Sequence, residues 1–174
     1  MLGEVKKTED SLSYKEKKEA RENDDYLYIK ELDLDITEAE KKEIKHLNVL
    51  YLDDDSDVLD SYSSMHRFDF NIFTTTDPME ARHIIATKDI QIIITDQRMP
   101  YMTGLEFFTM ISQEHPEPIR ILLTGYANLN AVVDAVKSRI IFRHVSKPFT
   151  PNMMRQAIKS AAEMYYLQRE IRER

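Results

Sequence analysis

The 174-residue sequence predicts an α/β protein: a doubly wound parallel sheet of five strands with helices on both faces. Three observations carry that expectation. From residue 48 onward, five short runs rich in β-branched or other large apolar residues alternate with segments of helical length, the pattern of βαβ units. The central runs are uniformly apolar where a half-wetted sheet would alternate, so both faces must be covered. Right-handed crossovers between parallel strands then carry the helices to either side.

Residues 1–25 interleave Lys, Glu, Asp and Ser with few apolar side chains, too little burial to offset chain entropy, and predict a disordered or frayed tail. Apolar residues return in "YLYIKELDLDI" (26–36), and Thr37 with Glu40 has the capping-box spacing for a short helix through "EAEKKEIK". This stretch reads either as a segment that docks on the domain or a partner, or as a charged, solvated linker helix. Residues 1–45 are therefore expected to form a charged N-terminal extension, ahead of one domain at 46–165.

The first strand is "NVLYL" (48–52), and Asp55 fits the N-cap of the helix behind it. "FNIFT" (70–74) is the second; Asp77 then caps "DPMEARHIIATK", with Pro78 at the first helical position and Glu80 in the first turn. "QIIIT" (91–95) is the third, and Met99, Met102, Phe107 and Phe108 after it read as packing. "IRILLT" (119–124) is the fourth, and Asn128 can cap "LNAVVDAVKS". "IIFRHV" (140–145) is the fifth, and Thr150 with Pro151 opens a long last helix. Its stripe Met154, Ile158, Ala161 and Tyr165 fits packing on the sheet. Beyond it, Met164, Leu167 and Ile171 carry apolar spacing into a helical extension at 166–174, which reads either as the start of a dimeric coiled coil or as a solvated end.

Composition narrows the function classes. Hydrophobic residues make up 42% and charged residues 32%, and no stretch approaches the roughly 18 apolar residues of a membrane helix, so no membrane partner is expected. The start lacks the apolar core of a secretory signal, and the chain has no cysteine, which points to the cytoplasm and excludes thiol chemistry. A net charge of −7 disfavours direct nucleic-acid binding, which needs Lys and Arg against phosphates.

The polar residues fall at one edge of this sheet. Asp53, Asp54 and Asp55 follow the first strand, Asp96 the third, Thr124 ends the fourth and Lys147 follows the fifth. These are carboxyl ends of strands, where open α/β sheets bind ligands. Clustered carboxylates repel one another, and a hard divalent cation such as Mg²⁺ relieves that repulsion. One carboxylate is then available as a nucleophile toward phosphorus. The metal and the lysine can neutralise the oxygens of a transferring phosphoryl group, and the threonine hydroxyl can hydrogen-bond the product. Taken singly, each residue has a plainer reading as an acidic turn, a strand end or a surface lysine; their coincidence carries the argument.

"VLYLDDDSDVL", "IIITDQRMPYMTGLEFF", "ILLTGYA" and "HVSKPF", in this order and spacing, resemble the receiver domain of bacterial two-component response regulators. The resemblance implies the flavodoxin-like strand order 2-1-3-4-5. It implies that Asp96 accepts a phosphoryl group from a sensor histidine kinase or phosphotransfer protein. Asp54, Asp96 and the backbone carbonyl of Arg98 would ligate Mg²⁺, with Asp53 acting mainly through metal-bound water. Thr124 and Lys147 would bind the phosphoryl oxygens, and the Lys147–Pro148 bond is often cis in this family. Asp55 is left outside the site. Arg98 and Tyr126 flank the acyl phosphate and would tune its lifetime.

The switch residues implied are Thr124 and position 144, usually Tyr or Phe and here His144. That gives either a pH-sensitive switch or a neutral ring filling the slot. "KSRIIFRHV" replaces the small or glycine residues common before the fifth strand, so that loop is expected to differ. Output is expected through protein contact, with a downstream target, a homodimer, or a domain of a longer regulator. A phosphorylation-independent interaction module is the competing reading. An aspartyl-phosphate phosphatase would need a second carboxylate two residues after the nucleophile, where Arg98 stands, so the chain is read as a signalling phosphoacceptor and not an enzyme.

Overall fold

The computed structural model describes residues 46–125 and 129–174. Five strands alternate with helices: β1 (Asn48–Leu52), α1 (Ser56–His66), β2 (Asn71–Thr75), α2 (Pro78–Thr87), β3 (Ile92–Asp96), α3 (Gly104–Glu114), β4 (Ile119–Thr124), α4 (Leu129–Lys137), β5 (Arg143–Ser146) and α5 (Pro151–Glu173). All pairings are parallel and the order is β2-β1-β3-β4-β5, as expected. The expected segments 1–45 and the Asn128 cap lie outside the described residues.

The double-sided burial has a simple cause in the two-residue period of a strand. Val49, Tyr51, Ile92, Ile94, Ile121 and Leu123 face one layer, where Leu59 and Tyr62 of α1 and Met154, Ala157, Ile158 and Ala161 of α5 cover them. Leu50, Leu52, Ile93 and Leu122 face the other, against Ala81 and Ile85 of α2, Phe107, Phe108 and Ile111 of α3, and Val132 and Ala135 of α4. The helices start where their capping residues dictate. Asp55 accepts from the N–H of Asp57 and of Val58, Asp77 from Met79, and Thr150 from Met153.

Three strand boundaries shift. β2 and β3 each begin and end one residue later than the apolar runs suggest, which makes Asp96 the last paired residue of β3. β5 begins at Arg143, three residues after the run at Ile140. The reason is the end of α4. Ile140 N–H donates to the Ala135 carbonyl and Arg139 N–H to Val136, a Schellman closure in which Arg139 takes the left-handed position usually held by glycine, with φ 62°. Arg120 of β4 pins the same loop: its guanidinium donates to the carbonyls of Ile140 (2.7 Å), Pro118 (3.0 Å) and Arg139 (3.1 Å). An arginine clasp from β4 thus holds this loop, which carries no glycine.

α5 packs through Met154, Ala157, Ile158, Ala161, Ala162 and Tyr165, all buried, and Met164 also rests on the core. Leu167 and Ile171, by contrast, are exposed. The apolar stripe therefore divides at Tyr165, with Met164 on the domain side of the division.

At the far end of α1, His66 is fully buried, stacked on Phe70 with ring centroids 5.1 Å apart. Its Nδ1 lies 3.3 Å from Asp69, whose carboxylate also accepts from Arg155 of α5 at 2.9 Å. Its Nε2 has no partner, so burial holds the ring neutral, below its usual titration range. The unfolded chain takes up that proton near pH 6.5, so the contribution is complete above that pH and is lost as pH falls towards the lower folded value. Denaturant unfolding from pH 7.5 to 5 should show His66→Phe losing less stability than wild type, and parallel profiles would refute this origin.

Candidate functional site

Each strand end delivers one polar side chain. Asp53, immediately after β1, is 3% exposed; its Oδ1 accepts from the N–H of Asp55 at 3.0 Å, while its Oδ2 is buried without a hydrogen-bond partner. Asp54 beside it is exposed. Asp55 caps α1, as expected. Asp96 closes β3, and Lys147, just beyond β5, places its Nζ 2.8 Å from Asp96 Oδ1. Thr124 is buried at the end of β4, where its carbonyl accepts from the N–H of Lys147 at 2.8 Å. The Lys147–Pro148 bond is cis.

Asp53, Asp54 and Asp96 offer carboxylate oxygens all within 4.8 Å of one another. Repulsion inside such a group is compounded by burial. Desolvation first, then the neighbouring charges of Asp96 and Asp54, push the Asp53 carboxyl up to about 6, against the opposing effects of the Asp55 N–H and Lys147. An unpartnered buried oxygen among three hard oxygen donors suits a small divalent cation, so the residues present fit Mg²⁺. Above them opens a cleft of about 460 Å³, lined among others by Asp54, Asp96, Arg98, Met99, Thr124 and Gly125.

The remaining expected site residues divide. Arg98 stands exposed on the cleft rim. His144 is half-buried on β5, paired in register with Leu122, and is not among the lining residues. Tyr126 lies outside the described residues. Met99 packs on the core, as read, but also faces the cleft. Two contributors escaped the sequence reading. Thr103 lines the cleft and forms a capping box with Glu106; the T-x-x-E spacing was there to find it. Gln97, also in the lining, has no motif to announce it.

Five parallel strands with an acidic trio and a lysine at their carboxyl edge define a class of phosphoryl-accepting signalling domains, and comparison with known proteins agrees. Residues 49–159 match the family model of the response regulator receiver domain, and the chain belongs to that family. It is 29% identical over 124 residues to the hydrogenase transcriptional regulatory protein HoxA of Cupriavidus necator, covering 71% of this chain and 26% of that protein. A chemotaxis protein CheY homolog of Campylobacter jejuni is 30% identical over 115 residues, covering 59% of this chain and 87% of the homolog. The solved response regulator receiver domain protein of Clostridium thermocellum superposes with a TM-score of 0.65 at 26% identity, over 70% of this chain and 98% of that one. The match spans about a quarter of the length of the HoxA proteins. Receiver domains are signalling phosphoacceptors that bind Mg²⁺ at an acidic pocket, and response regulators engage histidine kinases and downstream targets. Among the described residues, no helix is long and apolar enough to cross a membrane.

The raised Asp53 carboxyl carries a sign opposite to that of His66. A folded value of about 6 above an unfolded one near 4 favours the folded state below both and costs stability as pH rises through 6. In metal-free protein at pH 7.5, Asp53→Asn should therefore raise stability, by on the order of 1 kcal/mol, with the gain gone at pH 4. Calorimetric melting at the two pH values checks it; an equal gain at both would point away from the buried charge.

Proposed function

We propose that Asp96 is the phosphoacceptor of this chain, receiving a phosphoryl group from a sensor histidine kinase or phosphotransfer protein. The observation that carries the reading is the Lys147–Asp96 contact of 2.8 Å inside the acidic trio. An Asp96 carboxylate oxygen forms the new bond to phosphorus as the bond from phosphorus to the donor histidine nitrogen breaks, and that nitrogen leaves with the electron pair. Lys147 then turns from the carboxylate to the phosphoryl oxygens, and the Thr124 hydroxyl donates to one of them. Asp54, Asp96 and the Arg98 carbonyl are the proposed Mg²⁺ ligands, with Asp53 acting mainly through metal-bound water. The ion, when bound, offsets charge on the acidic trio and on the phosphoryl oxygens.

In this reading the chain is a signalling component and not an enzyme in its own right. Thr124 and His144 form the switch, coupling the site to the α4 and β5 side. Output passes by protein contact to a downstream target or a second copy. The exposed Leu129, Val133 and Val136 of α4, at helical spacing on one face, and Leu167 and Ile171 of α5 support that route. The proposed division is a charged extension at 1–45, the receiver at 46–165 and a helical extension at 166–174, in a cytoplasmic protein. The whole-length activity of relatives such as HoxA would belong to segments beyond the quarter matched here.

The test is intact mass after incubation with acetyl phosphate, with and without Mg²⁺. Wild type should gain one phosphoryl increment that needs the ion, and Asp96→Asn should gain none. No increment in a protein shown to bind Mg²⁺ would favour a phosphorylation-independent interaction module.

Arg98, at the rim, and Tyr126 are the proposed lifetime residues, hindering the water that attacks the acyl phosphate. Loss of label from phosphorylated protein should be severalfold faster in Arg98→Ala and in Tyr126→Ala than in wild type. Equal decay in all three would remove both from that role.

A further inference from the structure

The loop that leaves the acidic trio is closed by one residue. Gln97 directly follows Asp96 and is engaged from three directions. Its N–H donates to the Leu123 carbonyl at 3.0 Å, one residue before Thr124. Its own carbonyl accepts from the N–H of Gly104 at 3.1 Å, and its side-chain Oε1 accepts from the N–H of Leu105 at 3.0 Å. Gly104 and Leu105 open α3, and amides in a first turn have no partner within their helix. Thr103 takes a third such amide, that of Glu106, at 3.1 Å. The segment from Arg98 to Thr103 therefore begins and ends against the same residue. The fit is close: a Cβ at Gly104 would lie 2.5 Å from the Asp96 carbonyl oxygen, so α3 starts against the backbone of the acidic residue itself.

We propose that Gln97 is a positioning residue for the cation site. By holding both ends of the Arg98–Thr103 loop, its backbone and carboxamide fix where the Arg98 carbonyl and the Asp96 carboxylate stand relative to Asp54. The backbone bonds would survive substitution, but the bond to Leu105 belongs to the side chain alone. Losing it leaves a first-turn amide without its partner and the α3 end of the loop held by the single bond from the Gly104 N–H to the Gln97 carbonyl. This inference rests on the reading of the acidic trio as an Mg²⁺ site. A cap that served stability only would lower the melting temperature and leave the ion's affinity in the folded protein unchanged.

The experiment is calorimetric titration of Mg²⁺ into the full chain as wild type, Gln97→Met and Gln97→Glu, with amide exchange at Leu105 followed by NMR. Methionine keeps the length but offers no comparable acceptor, whereas glutamate keeps the acceptor. Gln97→Met should weaken Mg²⁺ binding roughly three- to tenfold, the worth of one neutral hydrogen bond, and speed exchange at Leu105. Gln97→Glu should bind at least as tightly as wild type to within about twofold and keep Leu105 protected. Where the methionine variant folds poorly, Gln97→Asn, with a carboxamide too short to reach Leu105, takes its place with the same expected loss. Wild-type affinity in Gln97→Met despite fast exchange at Leu105 would overturn the proposal, as would weakened binding in Gln97→Glu with Leu105 still protected. Absence of Mg²⁺ binding in wild type would overturn the site reading itself, and with it this one, a result distinct from either.

Discussion

Three carboxylates gathered within 4.8 Å are a cost that the rest of this molecule exists to bear. Left to themselves they would separate or take up protons, and the buried Asp53, pushed up to about 6, shows how far that pressure goes. What keeps them together is rigidity beneath them. β1 and β3 are neighbours, buried on both faces, and neither can shift its last residue without disturbing two packed layers. Lys147, arriving on the far side of β4, provides the counter-charge that makes the arrangement tolerable before any cation or phosphate arrives.

The same logic explains where helices begin. Asp55 stands next in sequence to the acidic pair, yet its carboxylate accepts from two α1 amides, which turns a fourth charge away from the site. On the opposite layer, α3 starts almost in contact with Asp96, and the loop between them lines the cleft. Asp96 is thus set between the backbones of two elements, the strand it ends and the helix behind it.

Most of this was legible in the sequence because it follows from short-range rules. Apolar runs, the four separated motifs, and Asp55, Asp77 and Thr150 as caps each speak locally; the three caps stand where they were expected and the five strands within a few residues of their runs. The failures are long-range. Nothing in "KSRIIFRHV" reveals that Arg120, in another strand, reaches over to hold its carbonyls, so β5 reads three residues too early. Gln97 likewise looks like any polar residue after a strand until the start of α3 is brought to it in space. Met164 was grouped with Leu167 and Ile171 by spacing alone, and only the position of the sheet edge separates them.

The Arg120 clasp gives the sheet a fixed root. At the end away from the acidic trio, one guanidinium ties β4 to the carbonyls before β4 and before β5, so both strands are held where they start by a single side chain. The start of β5 is thereby set by a side chain of its neighbour rather than by its own sequence, so the outer edge of the sheet takes its position from the strand that carries Thr124.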